Sequence, residues 1–201
     1  MAASGDPQVV AAPVFVIGSI ALGIQLTQVL GSNSLALGSP IAILLGCTGL
    51  FLLLSTWWAA SAGQSFVACF AGTFGAFWIG YSILVLGVLH NWYLIPAGDV
   101  ANTVVMFSVT FAAFFVFITL ASFRLPIIYT LIFGLVVLAL CLVAAAYSMT
   151  PVSTNVLKVA GYVIFVFAAL GMSLSWTVMN LSLGGPVFPP LGRPLIKPPA
   201  S

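Results

Sequence analysis

The chain has 201 residues, 63% hydrophobic and 3% charged, with four basic and two acidic side chains for a net charge of +2. Soluble domains carry about 25% charged residues, so this chain cannot wet the surface of a water-soluble domain. Disorder, which needs low hydrophobicity and high charge, is excluded as well. What remains is an all-α integral membrane protein, polytopic and built as one domain. Four scattered basic residues leave no electrostatic footprint for nucleic acid.

The first twelve residues lack a basic n-region, so no signal peptide is expected, and residues 1–12 read as an N-terminal tail. Six stretches then reach the roughly 20 apolar residues that a helical span requires. They run about Pro13–Leu30, Ala36–Ala60, Ser65–Leu89, Ala101–Phe123, Pro126–Met149 and Asn155–Leu181. Turn signals separate them: Gly31-Ser32-Asn33-Ser34, Ser61-Ala62-Gly63-Gln64, His90 to Asp99, Leu125-Pro126 and Thr150-Pro151. No ten-residue alternation suggests a barrel. Residues 13–183 are therefore expected to form a six-helix bundle.

In the first helix, Gln25 and Gln28 are three apart, and Gly18 lies seven before Gln25, so all three fall on one face. An amide facing lipid is costly, so that face is expected to point inward. Both a pore lining and interhelical glue explain it. In the third helix, Ala68, Gly72, Ala76 and Gly80 form a small-residue stripe suited to close helix packing. Phe70, Phe74, Phe77 and Trp78 beside it read either as the lining of a narrow passage or as ordinary packing. Thr48, Ser55 and Thr56 of the second helix, and Ser108 and Thr110 of the fourth, are less informative. Ser173, Ser175, Thr177 and Asn180 of the sixth favour glue.

No carboxylate falls within a span, which argues against a carboxylate proton relay. The chain has no glutamate, only Asp6 and Asp99 as acids and one histidine, His90. That poverty leaves no catalytic set, metal site or cofactor site. His90 is read as an interfacial histidine, with a pH-sensitive gate at the outer mouth as the functional alternative. Cys47, Cys69 and Cys141 are expected to be reduced core thiols. Arg124, Arg193 and Lys197 fall on one side of a six-span topology and Lys158 on the other, so both termini are expected in the cytoplasm. Trp92 and Tyr93 then suit the outer interfacial belt. Prolines after Leu183 forbid a helix, so residues 184–201 are expected to be a poorly ordered cytoplasmic tail rather than a docked strap.

Several of these residues resemble the acetate uptake transporter family, small six-helix transporters of monocarboxylates and succinate. Gly63-Gln64-Ser65-Phe66, then Thr73-Phe74-Gly75 and Gly75-Ala76-Phe77-Trp78, are similar to the family's G-N-T-F, Ser/Thr-aromatic-Gly and G-x-F-W elements. Ala12-Pro13 and Gly18 match part of the first-helix N-P-A-P-L-G-L motif and the glycine after it, and Ala160-Gly161-Tyr162 resembles A-G-W. The first Asn-Pro pair is missing, Phe15 replaces the motif glycine, and Ser19 stands where the family usually carries an aromatic.

The resemblance implies a homohexamer with one pore per protomer in the plasma (inner) membrane. It also implies passage of acetate or a similar small carboxylate, often with a proton, and an aromatic constriction to which Phe74 belongs. Pro13, Gly18, Gln25, Gln28, Thr73, Phe74, Phe77 and Trp78 are the candidate pathway residues, and Gly72, Ala76 and Gly80 the candidate packing residues. With no fixed positive charge in the spans, an uncharged acid crosses at least penalty, with weak binding. A channel for a neutral solute such as urea, ammonia or an amide fits the same chemistry. So does an accessory subunit of a larger membrane complex, on the strength of the proline-rich tail.

Overall fold

The computed structural model describes residues 5–31 and 38–196. Lys197 and the turn residues Ser32, Asn33 and Ser34 lie outside the described residues. Among the described residues, six helices are long and apolar enough to cross a membrane.

Helix α1 is Gln8–Thr27. The second, α2, runs from Gly38–Ala42 through a π-helical stretch, Ile43–Gly49, into Leu50–Ser61. Then come α3 (Ser65–Leu89), α4 (Val100–Ala121), α5 (Ile127–Tyr147) and α6 (Thr154–Ser182).

Local chemistry sets the helix ends. The Asp6 carboxylate accepts the Gln8 backbone N–H at 2.9 Å, and Pro7 sits in the first turn where no N–H is needed. Helix α1 therefore starts five residues before Pro13, which lies inside the helix. Gln28 caps its other end in a left-handed conformation, with φ at 55°. At the end of α2 the Gln64 N–H reaches Ala59 O and the Gly63 N–H reaches Ala60 O, a Schellman pair that requires the left-handed φ of Gly63. Asn91 does the same after α3, where the Trp92 N–H bonds Gly87 O. The Ser153 hydroxyl caps α6 by accepting the Val156 N–H.

The helices close into a ring. The α1–α6 seam is the most extensive, followed by α2–α3, α4–α5 and α5–α6, while α3 and α4 touch only briefly. Along α1–α6 the backbones are in near contact. A Cβ on Gly161 would lie 2.9 Å from Thr27 N and 3.1 Å from Gly23 O. The expected small-residue stripe on α3 divides between partners. Gly72 faces Thr56 of α2, Gly80 faces Phe107 of α4, and Ala76 is exposed. The thiols are free, but Cys69 and Cys141 are exposed on the outside of the bundle rather than in its core, because their helical positions face away from the ring.

The proline-rich tail differs from expectation. The Thr177 hydroxyl donates to Pro189 O at 2.9 Å and the Asn180 amide to Pro186 O at 2.6 Å. The Ile128 N–H reaches Leu191 O, and the Ile196 N–H reaches Phe123 O. Leu191 packs against the core. Residues 184–196 are thus a docked strap, because α6 side chains donate to the carbonyls of Pro186 and Pro189 that an extended chain without a helix or sheet leaves open.

Candidate functional site

A cavity of about 210 Å³ opens between the splayed α3 and α4. Its walls are apolar almost throughout: Leu84, Val85 and Val88 from α3, Val100 and Val104 from α4, Val136, Leu140 and Val143 from α5. It lies in the half of the bundle that carries the α3–α4 connection, with Leu89 and Val100 at its rim. His90 follows Leu89 and stacks on Trp92 with ring centroids 5.8 Å apart, outside the cavity lining.

An aromatic plug closes the inner end. Phe74 is 4.5 Å from Phe115 and 4.7 Å from Phe15, centroid to centroid, and 6.1 Å from Phe133. Phe15 is 5.8 Å from Phe167. These five rings come from α1, α3, α4, α5 and α6 and are all buried, Phe115 completely. Beyond the plug, toward the strap, the Tyr129 hydroxyl donates to Gln8 Oε1 and ties α5 to α1.

The polar groups at the cavity are few and uncharged: Gln25, Ser108, Tyr81, Tyr147 and the Trp78 indole. Trp78 is 1% exposed, and its Nε1 has no hydrogen-bond partner among the described residues. Gln25 Oε1 is buried and equally unpartnered. Ser108 is 2% exposed and lines the cavity. The other buried hydroxyls are paired. Ser19 bonds Phe15 O, Thr27 bonds Gly23 O, Thr48 bonds Val14 O, and Ser55, Ser82, Ser122, Ser175 and Thr177 each bond a carbonyl. A buried polar group without a partner costs about 1–3 kcal/mol, so two on the lining of one cavity, Trp78 Nε1 and Gln25 Oε1, mark it as more than a packing void.

Of the residues singled out from sequence, Gln25, Phe74, Phe77 and Trp78 line this cavity. Pro13, Gly18, Gln28 and Thr73 do not. Gln28 lies past the end of α1, so it does not continue the Gln25 face. Gly18 sits under Thr48, whose hydroxyl reaches Val14 O; a Cβ there would be 2.5 Å from Thr48 Oγ1. It is a close-packing point between α1 and α2. The Thr73 hydroxyl is used up on Cys69 O. Sequence reasoning missed Phe15, Phe115, Phe133 and Phe167, and passed over Ser108. Their signal lay only in spatial convergence from separate helices.

A ring of six apolar helices around a cavity stopped by an aromatic plug defines a multi-pass integral membrane protein of the channel and carrier class. The chain belongs to the GPR1/FUN34/yaaH family, the acetate transporter family, whose sequence pattern matches residues 2–181. The solved structure of the bacterial acetate channel SatP has the same fold, with a TM-score of 0.79 over 92% of this chain and 98% of that one at 16% identity. A comparison with curated protein sequences found no match.

Proposed function

We propose that the protein passes acetate and related small monocarboxylates across the plasma (inner) membrane, coupled to protons, as a homohexamer with one pore per protomer and both termini in the cytoplasm. The observation that carries this reading is the cavity. It is apolar enough for a methyl or short alkyl tail, has neutral hydrogen-bonding groups for one polar head, and ends on a plug that aromatic rotations can open. Family membership and the shared fold with an acetate channel support it. Gln25, Phe74, Phe77 and Trp78 are the pathway residues within the cavity. Pro13, Gly18, Gln28 and Thr73 act on the pathway only through helix geometry.

Uptake of labelled acetate into proteoliposomes, with and without an inward proton gradient, tests the reading. Saturable uptake, blocked by propionate and accelerated by the gradient, is the expected result. Absence of uptake above empty liposomes by a folded oligomer overturns it. Urea uptake under the same conditions would favour the neutral-solute reading, which the uncharged lining also fits.

A further inference from the structure

We infer that Trp78, Gln25 and Ser108 form the head-group site of the cavity and that this site takes a carboxylic acid in its uncharged form. The inference rests on the monocarboxylate reading above.

A protonated carboxylic acid presents one acceptor, its carbonyl oxygen, and one donor, its hydroxyl. A carboxylate presents acceptors alone. The cavity offers what the first requires, a donor beside an acceptor, whereas a carboxylate would use the donors and leave the acceptor idle. Trp78 Nε1–H is a donor only, Gln25 Oε1 is an acceptor, and the Ser108 hydroxyl serves as either. The acid carbonyl accepts from the indole, the acid hydroxyl donates to the amide oxygen, and Ser108 takes the remaining lone pair. An anion in the same place sets its negative oxygen against Gln25 Oε1 and leaves that oxygen unpaired.

Among the described residues nothing on the cavity wall offsets an anion's charge, for the lining contains no Lys, Arg or His. Among the described residues its titratable side chains are the phenols Tyr81 of α3 and Tyr147 of α5; α1, α4 and α6 contribute none, and His90 and Asp99 stand just outside the rim. An unpaired ion in such surroundings is strongly disfavoured against its neutral form. The proton then travels on the acid itself. It is picked up from water at one mouth and released at the other, so no side-chain relay is required, in keeping with spans that hold no carboxylate.

The test is acetate uptake by the whole protein in proteoliposomes between pH 5 and 7, with acetamide as competitor. Acetamide is a neutral isostere with the same acceptor-and-donor head. The half-saturating concentration, expressed as total acetate, is expected to rise roughly tenfold per pH unit above the pKa of the acid and to stay constant when expressed as undissociated acid. At pH 7 acetamide is expected to inhibit at concentrations at least roughly tenfold below half-saturating total acetate, because it is never ionised. Ser108→Ala and Trp78→Phe are expected to raise the half-saturating acid concentration severalfold while leaving the pH dependence in place. Should Trp78→Phe fail to assemble, Ser108→Ala and the acetamide competition on the unaltered protein still decide. Saturable uptake with a pH-independent half-saturation in total acetate, or with no effect of acetamide, overturns the uncharged-acid site and leaves the monocarboxylate reading standing. Unchanged half-saturation in both variants overturns the assignment of the residues. Absence of acetate uptake at every pH overturns both readings together.

Discussion

Two seams of the ring make opposite use of side-chain size. At α1–α6, Gly23, Gly161 and Gly171 let a partner's side chain or backbone reach the helix surface. At α3–α4, Val85, Val88, Val104 and Phe107 stand between the helices and leave the cavity open. Both seams are apolar, so hydrophobicity does not distinguish them. The difference lies in volume: with lipid outside, apolar side chains gain little by leaving it, and close packing decides which helices meet. The tight seam carries the structure and the loose one carries the passage.

Phe74 stands where both seams converge, so its loss is the largest expected break. Phe74→Ala is expected to cost about 3–5 kcal/mol, as buried Phe truncations do, and to raise acetate flux by joining the cavity to the far side. Thermal unfolding of the detergent-solubilised protein and liposome flux read the two effects separately. Next comes conversion of the tight seam into a loose one. Gly161→Val sets branched carbon against the Thr27 and Gly23 backbone, which cannot rotate away, and is expected to cost about 1–3 kcal/mol. The melt reads the cost, and flux through correctly assembled protein should keep its half-saturation.

Away from both seams the effects shrink. Thr177→Val removes one hydrogen bond to the strap and is expected to cost about 1 kcal/mol. Faster protease nicking after Leu183, with transport unchanged, is the measurement. Smallest of all is His90→Gln. An exposed ring stacked on Trp92 outside the cavity should leave the pH profile of flux unaltered; a shifted profile would instead place a gate at the rim.

The six spans were legible because a run of about 20 apolar residues is a one-dimensional signal. Ser65–Leu89 was matched residue for residue, while α1 began at Gln8 because the Asp6 cap acts from outside the apolar run. The site was legible only where one helix carried enough of it, as with Phe74, Phe77 and Trp78. Ser108 shows why the rest was hidden. Its neighbour Thr110 looks equivalent in sequence, yet Thr110 bonds Met106 O on the exposed side while Ser108 is buried on the cavity wall. Whether a hydroxyl is spent on its own helix depends on rotamer and neighbours, which sequence spacing does not encode. The strap was hidden for a related reason: its partners, Thr177 and Asn180, looked like contacts between helices.

Phe15 has a bearing on how divergence is counted. Ser19, at the position where the resemblance leads one to expect an aromatic, donates its hydroxyl to the carbonyl of Phe15 one turn earlier. A ring stands instead at Phe15, about 6 Å along the same helix, where it meets Phe74 and Phe167. Read column by column, a serine at 19 is a missing ring; read by depth along the helix, the ring is present in the plug one turn away.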